Sequence, residues 1–244
     1  MRNVEQWVPT RVVSGVGGWR PSSDPSRVSP ASRVVAGCLI RHYQKAIEDY
    51  AAGRLLDLGC GYVPYYGIYR DRVDEAVCVD WAGTLHKSAF LDYEADLNRG
   101  LPFLDSDSFD TVLLTDVLEH IYRPAALVAE TYRVLKSGGN LILGVPFLYW
   151  IHEDPYDYHR YTEFALRRLC TDAGFVVAQL TAYGGAPEVI ADLGGKLLMA
   201  MHLGRLCGVY AALCRMFLNL NAMRNLSART AGHLPLGYVL VARK

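Results

Sequence analysis

The sequence lacks an excess of charge of either sign. Its 244 residues carry 25 lysines and arginines against 25 aspartates and glutamates, so the formal net charge is zero. A dedicated nucleic-acid-binding protein needs surplus basic side chains to neutralise phosphates, so this balance does not favour nucleic acid as a partner. The hydrophobic share of 51% is enough to bury one sizeable core. A chain of this length is typical of one large domain, or of one domain with an insertion.

The sequence also lacks the segments that direct proteins into or across membranes. It has no uncharged apolar stretch of about 18 residues, which a transmembrane helix needs. The opening MRNVEQWVPTRVV has no apolar core of a secretory signal. The six cysteines form no CxxC pair and mostly occur in apolar runs, which is typical of buried, reduced thiols. The sequence therefore predicts a cytoplasmic protein without stable membrane insertion.

Short apolar runs alternate with helical patterns along most of the chain. The runs that predict strands are RLLDLG, EAVCVDW, a short one near Phe90–Tyr93, Phe109–Thr115, NLILGVP, FVVAQLTAY and LGYVLVAR. Helices are predicted over residues 30–50, in RPAALVAETYRVLKSGG, and in TEFALRRLCTDAGF with Thr162 as its N-cap. This alternation predicts an α/β fold, with a mostly parallel seven-stranded sheet and helices on both faces.

Composition divides the chain into three regions. Residues 1–30 are rich in Gly, Ser, Pro and Arg and predict an arm or lid. Residues 31–183 and 234–244 carry the α/β pattern. Residues 184–233 are a strongly apolar helical insertion before the last strand, predicted as two helices joined near Gly204–Gly208. An apolar stripe at helical spacing is typical of core. A substrate cap, a homodimer face and membrane contact stay open, the last disfavoured because the polar faces are not strongly basic.

The loop after the first predicted strand lacks the third glycine of a dinucleotide-binding fingerprint. Gly59 and Gly61 follow the strand directly, but Val63 and Pro64 stand where that pattern continues. A parallel sheet binds ligands at the carboxyl ends of its strands. Asp80 ends the second strand, where a carboxylate can accept hydrogen bonds from both ribose hydroxyls. A nucleoside without phosphates therefore fits better than NAD.

Four motifs occur in order around this loop: LLDLGCG, AVCVD, ADLNRGLPFLDSDSFDTVLLTDVLEHI and RVLKSGG. Together they resemble class I S-adenosylmethionine-dependent methyltransferases, over about residues 54–182 and the final strand. The resemblance implies a Rossmann-like sheet with an antiparallel last strand, and S-adenosylmethionine as cofactor. The cofactor-binding residues that it implies are Asp57, Gly59, Cys60 and Gly61 at the methionine part, Asp80 with Trp81 at the ribose, Asp96 and Leu97 at the adenine, and Thr115 and Asp116 near the sulfonium.

The segment TDVLEHI offers a first candidate base. His120 stands one helical turn after Asp116 and next to Glu119, and imidazole has an unperturbed pKa of about 6.5. The pattern resembles the Glu-x-x-Glu-His set that binds magnesium in some O-methyltransferases acting on quinone precursors and on RNA ends. Many class I enzymes carry Glu-His here without a metal, as a cap of the next helix. No metal site is therefore predicted, and Mg²⁺ stays the less favoured alternative.

A second polar cluster, PFLYWIHEDPYDYHRYT, follows the fifth predicted strand. His152, Asp157 and His159 stand among tyrosines, and aromatic rings beside carboxylates and imidazoles suit a sugar or phenol acceptor. The stretch resembles a signature of bacterial methyltransferases found among glycan and secondary-metabolite pathways. The alternative is a packed loop whose polar groups satisfy one another. The predicted catalytic residues are His120, His152, His159 and Asp157.

These patterns predict an O-methyltransferase that acts on a sugar, a glycan or a small secondary metabolite. Transfer would be an in-line displacement, with a histidine removing the acceptor proton. An N- or carboxyl-methyltransferase and a non-catalytic cofactor-binding partner are the alternatives, and an NAD oxidoreductase is a distant third because of Pro64.

Overall fold

The structure is a computed structural model that describes residues 1–83 and 88–244. Its strands are β1 (Val12–Gly15), β2 (Gly18–Pro21), β3 (Arg54–Leu58), β4 (Glu75–Asp80), β5 (Tyr93–Glu94), β6 (Phe109–Thr115), β7 (Leu135–Pro146), β8 (Val176–Tyr183) and β9 (Gly237–Arg243). Its α-helices are α1 (Arg33–Tyr50), α2 (Tyr66–Tyr69), α3 (Pro124–Val134), α4 (Glu163–Asp172), α5 (Ala186–Ala200), α6 (Gly204–Leu218) and α7 (Asn221–Thr230).

A seven-stranded sheet runs in the order β5-β4-β3-β6-β7-β9-β8. The pairs from β5 to β7 are parallel. Strand β9 runs the other way, because Gly138 N donates to Lys244 O at the start of β7, while Leu236 N donates to Tyr183 O at the end of β8. The predicted Rossmann-like sheet with an antiparallel last strand is confirmed. Strand β3 lies at the switch point of strand order, where such sheets bind ligands.

The central strands are apolar on both faces. Leu55, Leu56 and Leu58 of β3, and Val112 to Leu114 of β6, are fully buried. Strands of a parallel sheet that helices cover on both sides read as continuous hydrophobic runs rather than as alternating ones. The same runs end at polar residues, so the carboxyl edge of the sheet carries the side chains that can meet a ligand.

The chain forms two compact units. The first contains Met1–Pro9, Lys45–Thr181 and Tyr238–Lys244, and thus most of the sheet. The second contains Thr10–Gln44 and Ala182–Gly237, with the antiparallel hairpin of β1 and β2 and the helices α5 to α7.

Several local predictions need correction. The insertion forms three helices rather than two, because the chain turns between Leu218 and Asn221 and α7 leaves α6 at 88°. The third strand of the sheet is shorter than predicted and comes at Tyr93–Glu94, and the fifth begins earlier, at Leu135. Thr162 is the N-cap of α4 as predicted, since its hydroxyl accepts a hydrogen bond from Ala165 N.

Candidate functional site

The turn after β3 requires glycine. Gly59 has φ +68°, and a Cβ there would lie 2.4 Å from Val117 Cγ2. The positive φ and the short distance to Val117 each exclude a side chain at this position. The turn is tied to β4, because the amide of Gly59 donates to Val79 O at 2.8 Å and that of Gly61 donates to Asp80 Oδ2 at 2.8 Å. A rigid stretch of backbone therefore lies beside the carboxylate that ends β4.

The two carboxylates of this turn have different surroundings. Asp80 also accepts a hydrogen bond from Trp81 N at 2.7 Å, so both of its oxygens are fixed at the strand end. Asp57 is buried, and Tyr69 Oη donates to its Oδ2 at 3.2 Å. Burial raises the pKa of Asp57 to about 7, although the Tyr69 hydrogen bond lowers it. Asp57 is thus held inside the protein, a placement that the sequence did not predict.

Val63 takes the conformation that the missing glycine would take. Its φ is +50°, and its side chain is fully buried. A left-handed conformation costs an L-residue roughly 1–2 kcal/mol. The indole of Trp7 donates to Val63 O at 3.1 Å, and the Trp7 ring packs edge-on against Tyr66 with centroids 5.0 Å apart. Trp7 therefore holds the strained peptide in place.

The remaining predicted cofactor residues follow β5 and β6. Asp96 caps a short 3-10 helix, with its Oδ1 accepting from Asn98 N at 3.0 Å, and Leu97 beside it is buried. Thr115 ends β6, and Asp116 follows with φ +53° and donates its amide to Gly144 O. All the predicted cofactor residues thus lie at or just beyond the carboxyl ends of β3 to β6, along one edge of the sheet. A turn with two glycines beside the fixed carboxylate of Asp80 fits a phosphate-free nucleoside such as that of S-adenosylmethionine.

A buried carboxylate lies at the centre of the second predicted cluster. Glu119 is fully buried, and its two carboxylate oxygens have no hydrogen-bond partner within residues 1–83 and 88–244. Burial raises its pKa to about 7, while His120 and Arg160 lower it. The Nε2 atom of His152 lies 3.6 Å from Glu119 Oε1, and that of His120 lies 3.7 Å from the same oxygen.

The second nitrogen of each imidazole faces an oxygen. His120 Nδ1 lies 2.9 Å from Tyr156 O, which assigns the proton to Nδ1 and leaves the Nε2 lone pair toward Glu119 when the ring is neutral. His152 Nδ1 lies 3.3 Å from Asp157 Oδ2, outside hydrogen-bonding geometry. The two rings pack edge-on with centroids 4.7 Å apart.

Asp157 is fixed as an anion. The Arg160 guanidinium binds both of its oxygens, at 2.5 and 2.7 Å, and the amide of His152 donates to Oδ2 at 2.9 Å. Burial raises the pKa of Asp157, but Arg160 and His152 outweigh it and bring the pKa down to about 2. Asp157 is therefore ionised at neutral pH and stabilises a positive charge on His152.

The structure brings His120, His152 and Asp157 together, but not the imidazole of His159. The amide of His159 donates to Glu119 O at 3.2 Å, while its ring lies 5.4 Å from the Tyr161 ring. The catalytic prediction omitted Glu119 and Arg160. The i, i+3 spacing of Asp157 and Arg160 was a signal for the ion pair, whereas nothing local in the sequence showed that the residue before His120 is buried.

The same cluster could hold a cation. Ligand atoms of Glu119, His120 and His152 lie within 4.8 Å of one another. Two imidazoles with one carboxylate suit a transition-metal ion better than Mg²⁺, which prefers oxygen ligands. Imidazoles that bind metals commonly have their second nitrogen beside a carbonyl or carboxylate, as both have here. Asp116, which corresponds to the first Glu of the Glu-x-x-Glu-His magnesium pattern, is not part of this group.

Part of the chain is similar to known methyltransferases. The model of a family described as a methyltransferase domain matches residues 56–143. The ubiquinone biosynthesis O-methyltransferase of Xanthomonas oryzae pv. oryzae (strain PXO99A) is 33% identical over 110 residues, which are 41% of this chain and 46% of that protein. The protein of the same name from Burkholderia vietnamiensis is 26% identical over 132 residues, 50% of this chain and 54% of that one. The chain thus spans about half the length of these curated relatives.

Solved structures share the fold at low identity. A SAM-dependent methyltransferase from Archaeoglobus fulgidus has a TM-score of 0.55 and 15% identity, covering 87% of this chain and 97% of that one. One from Mesorhizobium loti has a TM-score of 0.53 and 14% identity, covering 86% and 100%. The cyclase SpnF, at 0.53 and 19%, covers 86% and 81%. A cyclase on this fold means that the acceptor and the reaction must be argued from the site.

Proposed function

We propose that this chain is a class I S-adenosylmethionine-dependent methyltransferase that methylates a hydroxyl oxygen of a small acceptor; the methyltransferase-domain match over residues 56–143 and the shared fold support the class. The observation that supports an oxygen acceptor is His152, which lies between the buried Glu119 and the ionised Asp157. A hydroxyl must lose its proton during methyl transfer, whereas many amines and carboxylates need no base. The relatives named O-methyltransferases, which match part of the chain, also support an oxygen acceptor.

The residues of the chain divide the chemistry between them. S-adenosylmethionine, when bound, supplies a methyl group on a positively charged sulfur. The glycine turn and Asp80 hold and orient the nucleoside. His152 would take the acceptor proton, so that the O–H bond breaks as the new O–C bond forms and the sulfur–methyl bond breaks, leaving a neutral thioether; Asp157 would stabilise the resulting imidazolium. Arg160 acts on Asp157 and is a positioning residue.

We propose a sugar or a phenol as the acceptor class. Exposed aromatic side chains stand in the same loop as His152, namely Trp150, Tyr156 and Tyr158. Aromatic faces pack against sugar rings and phenols, and they leave the hydroxyl groups free to meet a base. Within this class we propose a glycan or a secondary metabolite as the acceptor. We also propose that the protein is cytoplasmic.

The cluster also supports a second candidate role, as a site for a divalent transition-metal ion. The unpartnered oxygens of Glu119 and the two facing imidazoles favour it. A bound cation would lower the pKa of an acceptor hydroxyl. Elemental analysis of the purified protein before and after dialysis against a chelator tests it, with Glu119→Gln as the comparison. A stoichiometric metal that Glu119→Gln loses supports the site, and a metal-free protein with full activity rejects it.

Two measurements test the main proposal. Calorimetric titration with S-adenosylhomocysteine should give saturable heat, and a tritiated-methyl assay should label sugars or phenols in preference to amines and carboxylic acids. Label in a base-labile methyl ester would indicate a carboxyl-methyltransferase, and label on nitrogen would indicate an N-methyltransferase. Tight binding without transfer to any class would favour a non-catalytic cofactor-binding partner.

A further inference from the structure

The second unit presents an unusual apolar surface on α6. Leu206, Val209, Leu213, Met216 and Phe217 of α6, and Leu220 just after it, are each 51–66% exposed. Their spacing of three or four residues places them in one row along the helix. The buried residues of α6, Cys207 and Ala211, lie on the opposite side and pack the helix inward. Singly exposed apolar residues are ordinary, but a continuous row of this kind marks an interaction surface.

The apolar row extends beyond α6. On α5, Ile190, Leu193 and Leu197 are 53–68% exposed at the same helical spacing. Met201 and Leu203, in the connection between the helices, are also exposed. The ring of Tyr210 lies against Gly194, and Cys207 Sγ contacts Gly195 O, so the two helices pack directly on each other. We call the exposed apolar residues of α5, α6 and their connection the apolar face.

The charges around the apolar face have one sign. From Leu197 to Gly237 the sequence contains no aspartate or glutamate, and Arg205, Arg215, Arg224 and Arg229 are all exposed. The whole second unit has ten basic side chains against three acidic ones, a net +7, although the complete chain is neutral. Two of those three acids, Glu188 and Asp192, are buried. The insertion alone, residues 184–233, has five basic side chains against these two acidic ones.

The apolar row and the positive charge together favour an anionic lipid surface over a second copy of this chain as the partner of the apolar face. In a two-fold dimer the same patch meets itself, so arginines would approach arginines without acidic partners. An anionic lipid surface pairs with arginine and accepts apolar side chains at the same time. Among the described residues no single helix is long and apolar enough to cross a membrane, and the pair α6 and α7, which passes by length and composition, is bent by 88°.

We infer that the apolar face with its flanking arginines binds the surface of an anionic lipid bilayer. The exposed row of α6 enters the boundary between headgroups and acyl chains, while Arg205, next to Leu206 at one border of the row, reaches lipid phosphates. The inference does not depend on the proposed methyl transfer, because it rests only on residues of the second unit.

Vesicle co-sedimentation of the full chain tests this inference. Vesicles of phosphatidylcholine alone are compared with vesicles of three parts phosphatidylcholine to one part phosphatidylglycerol. We expect binding to the anionic vesicles only, and weaker binding when the ionic strength rises from about 0.1 M to about 1 M, because screening shortens the reach of the charges. Each arginine near an anionic surface contributes about fivefold in partitioning. Arg205→Gln should therefore lower the bound fraction far more than the charge-matched variant Arg2→Gln in the first unit.

A second pair of variants separates apolar contact from charge. Leu213→Glu, on the row, should abolish vesicle binding, whereas Phe164→Glu, at an exposed position of α4, should not. Thermal melting of each variant checks that it folds. If Leu213→Glu does not fold, the arginine substitution, which is milder, still tests the inference. Equal binding to both vesicle types, or equal loss in the control variants, would overturn the inference. So would a dimer in sedimentation velocity that Leu213→Glu dissociates, combined with no vesicle binding.

Discussion

His152 and Glu119 form the central pair of the candidate site, with Nε2 of the imidazole 3.6 Å from Oε1 of a fully buried carboxylate. The sequence separates the two residues by a helix and a strand. The fold joins them because the segments after β6 and β7 leave the same edge of the sheet, and these strands are parallel neighbours. A base between two carboxylates is the arrangement on which the proposed proton transfer depends.

His152→Ala should lower the rate of methyl transfer by about 10²–10⁴-fold, the usual contribution of a general base. The affinity for S-adenosylhomocysteine should stay the same, because the imidazole is not part of the glycine turn. His159→Ala is the matched control and should keep most of the activity, since its ring packs against Tyr161 instead. Rate constants under saturating cofactor and calorimetry give the two values. Equal losses in both variants would remove His152 from the role of base.

Asp80→Asn should weaken cofactor binding by tenfold or more. Its carboxylate accepts hydrogen bonds from the amides of Gly61 and Trp81, and an asparagine NH₂ would face one of those donors. Hydrogen bonds to charged groups contribute about 1.5–3 kcal/mol each. Glu94→Gln, an exposed position on the adjacent strand β5, is the control and should bind normally. Titration calorimetry with S-adenosylhomocysteine measures both, and unchanged affinity in Asp80→Asn would place the ribose elsewhere.

Position 63 should reverse the usual order of alanine and glycine. Val63 is buried with φ +50°, so Val63→Ala loses packing and keeps the backbone strain, whereas Val63→Gly loses slightly more packing and relieves that strain. We expect Val63→Gly to be the more stable of the two by about 1 kcal/mol, the cost of a left-handed L-residue. Urea unfolding of both variants measures the difference. If alanine proves more stable, as at ordinary positions, the loop does not store strain at Val63.

The sheet was predictable because buried parallel strands are apolar throughout and end at turn residues. The run Phe109–Thr115 coincides with β6, and Asp80 ends β4 as expected. The predictions failed where the signal is not periodic. A two-residue strand such as β5 has no period to detect, and the break between α6 and α7 carries no proline or glycine, so two helices looked like one.

The site was predictable in its members but not in its pairing. His120, His152 and Asp157 could be named from residue type and position. The ion pair of Asp157 and Arg160 has a local signal in its i, i+3 spacing. That Glu119 would be buried beside His152 depends on how two loops pack after the sheet has formed, and local sequence does not encode that contact. Likewise the positive φ of Val63 cannot be read from a residue that normally avoids it.

The buried Asp57 should make stability fall as the pH rises through the acidic range. Burial raises the pKa of Asp57 from 3.8 to about 7 in the folded protein. Below the lower value both the folded and the unfolded chain carry the proton, so the residue has no effect on stability. Between the two values the unfolded chain ionises while the folded chain keeps its proton, which favours unfolding as the pH rises. Above about 7 the full effect is present.

Asp57→Asn removes this dependence, because the amide does not titrate and can still accept the Tyr69 hydrogen bond. The melting temperature of Asp57→Asn minus that of the parent protein should therefore increase with pH across the window from 3.8 to about 7 and then level off. One pKa unit corresponds to about 1.4 kcal/mol, which bounds the effect at a few kcal/mol. Asp71→Asn, at an exposed position, should show no such trend. Calorimetric melts at several pH values test both variants, and a flat or falling difference for Asp57→Asn would mean that the Asp57 carboxylate is ionised in the folded protein throughout this range.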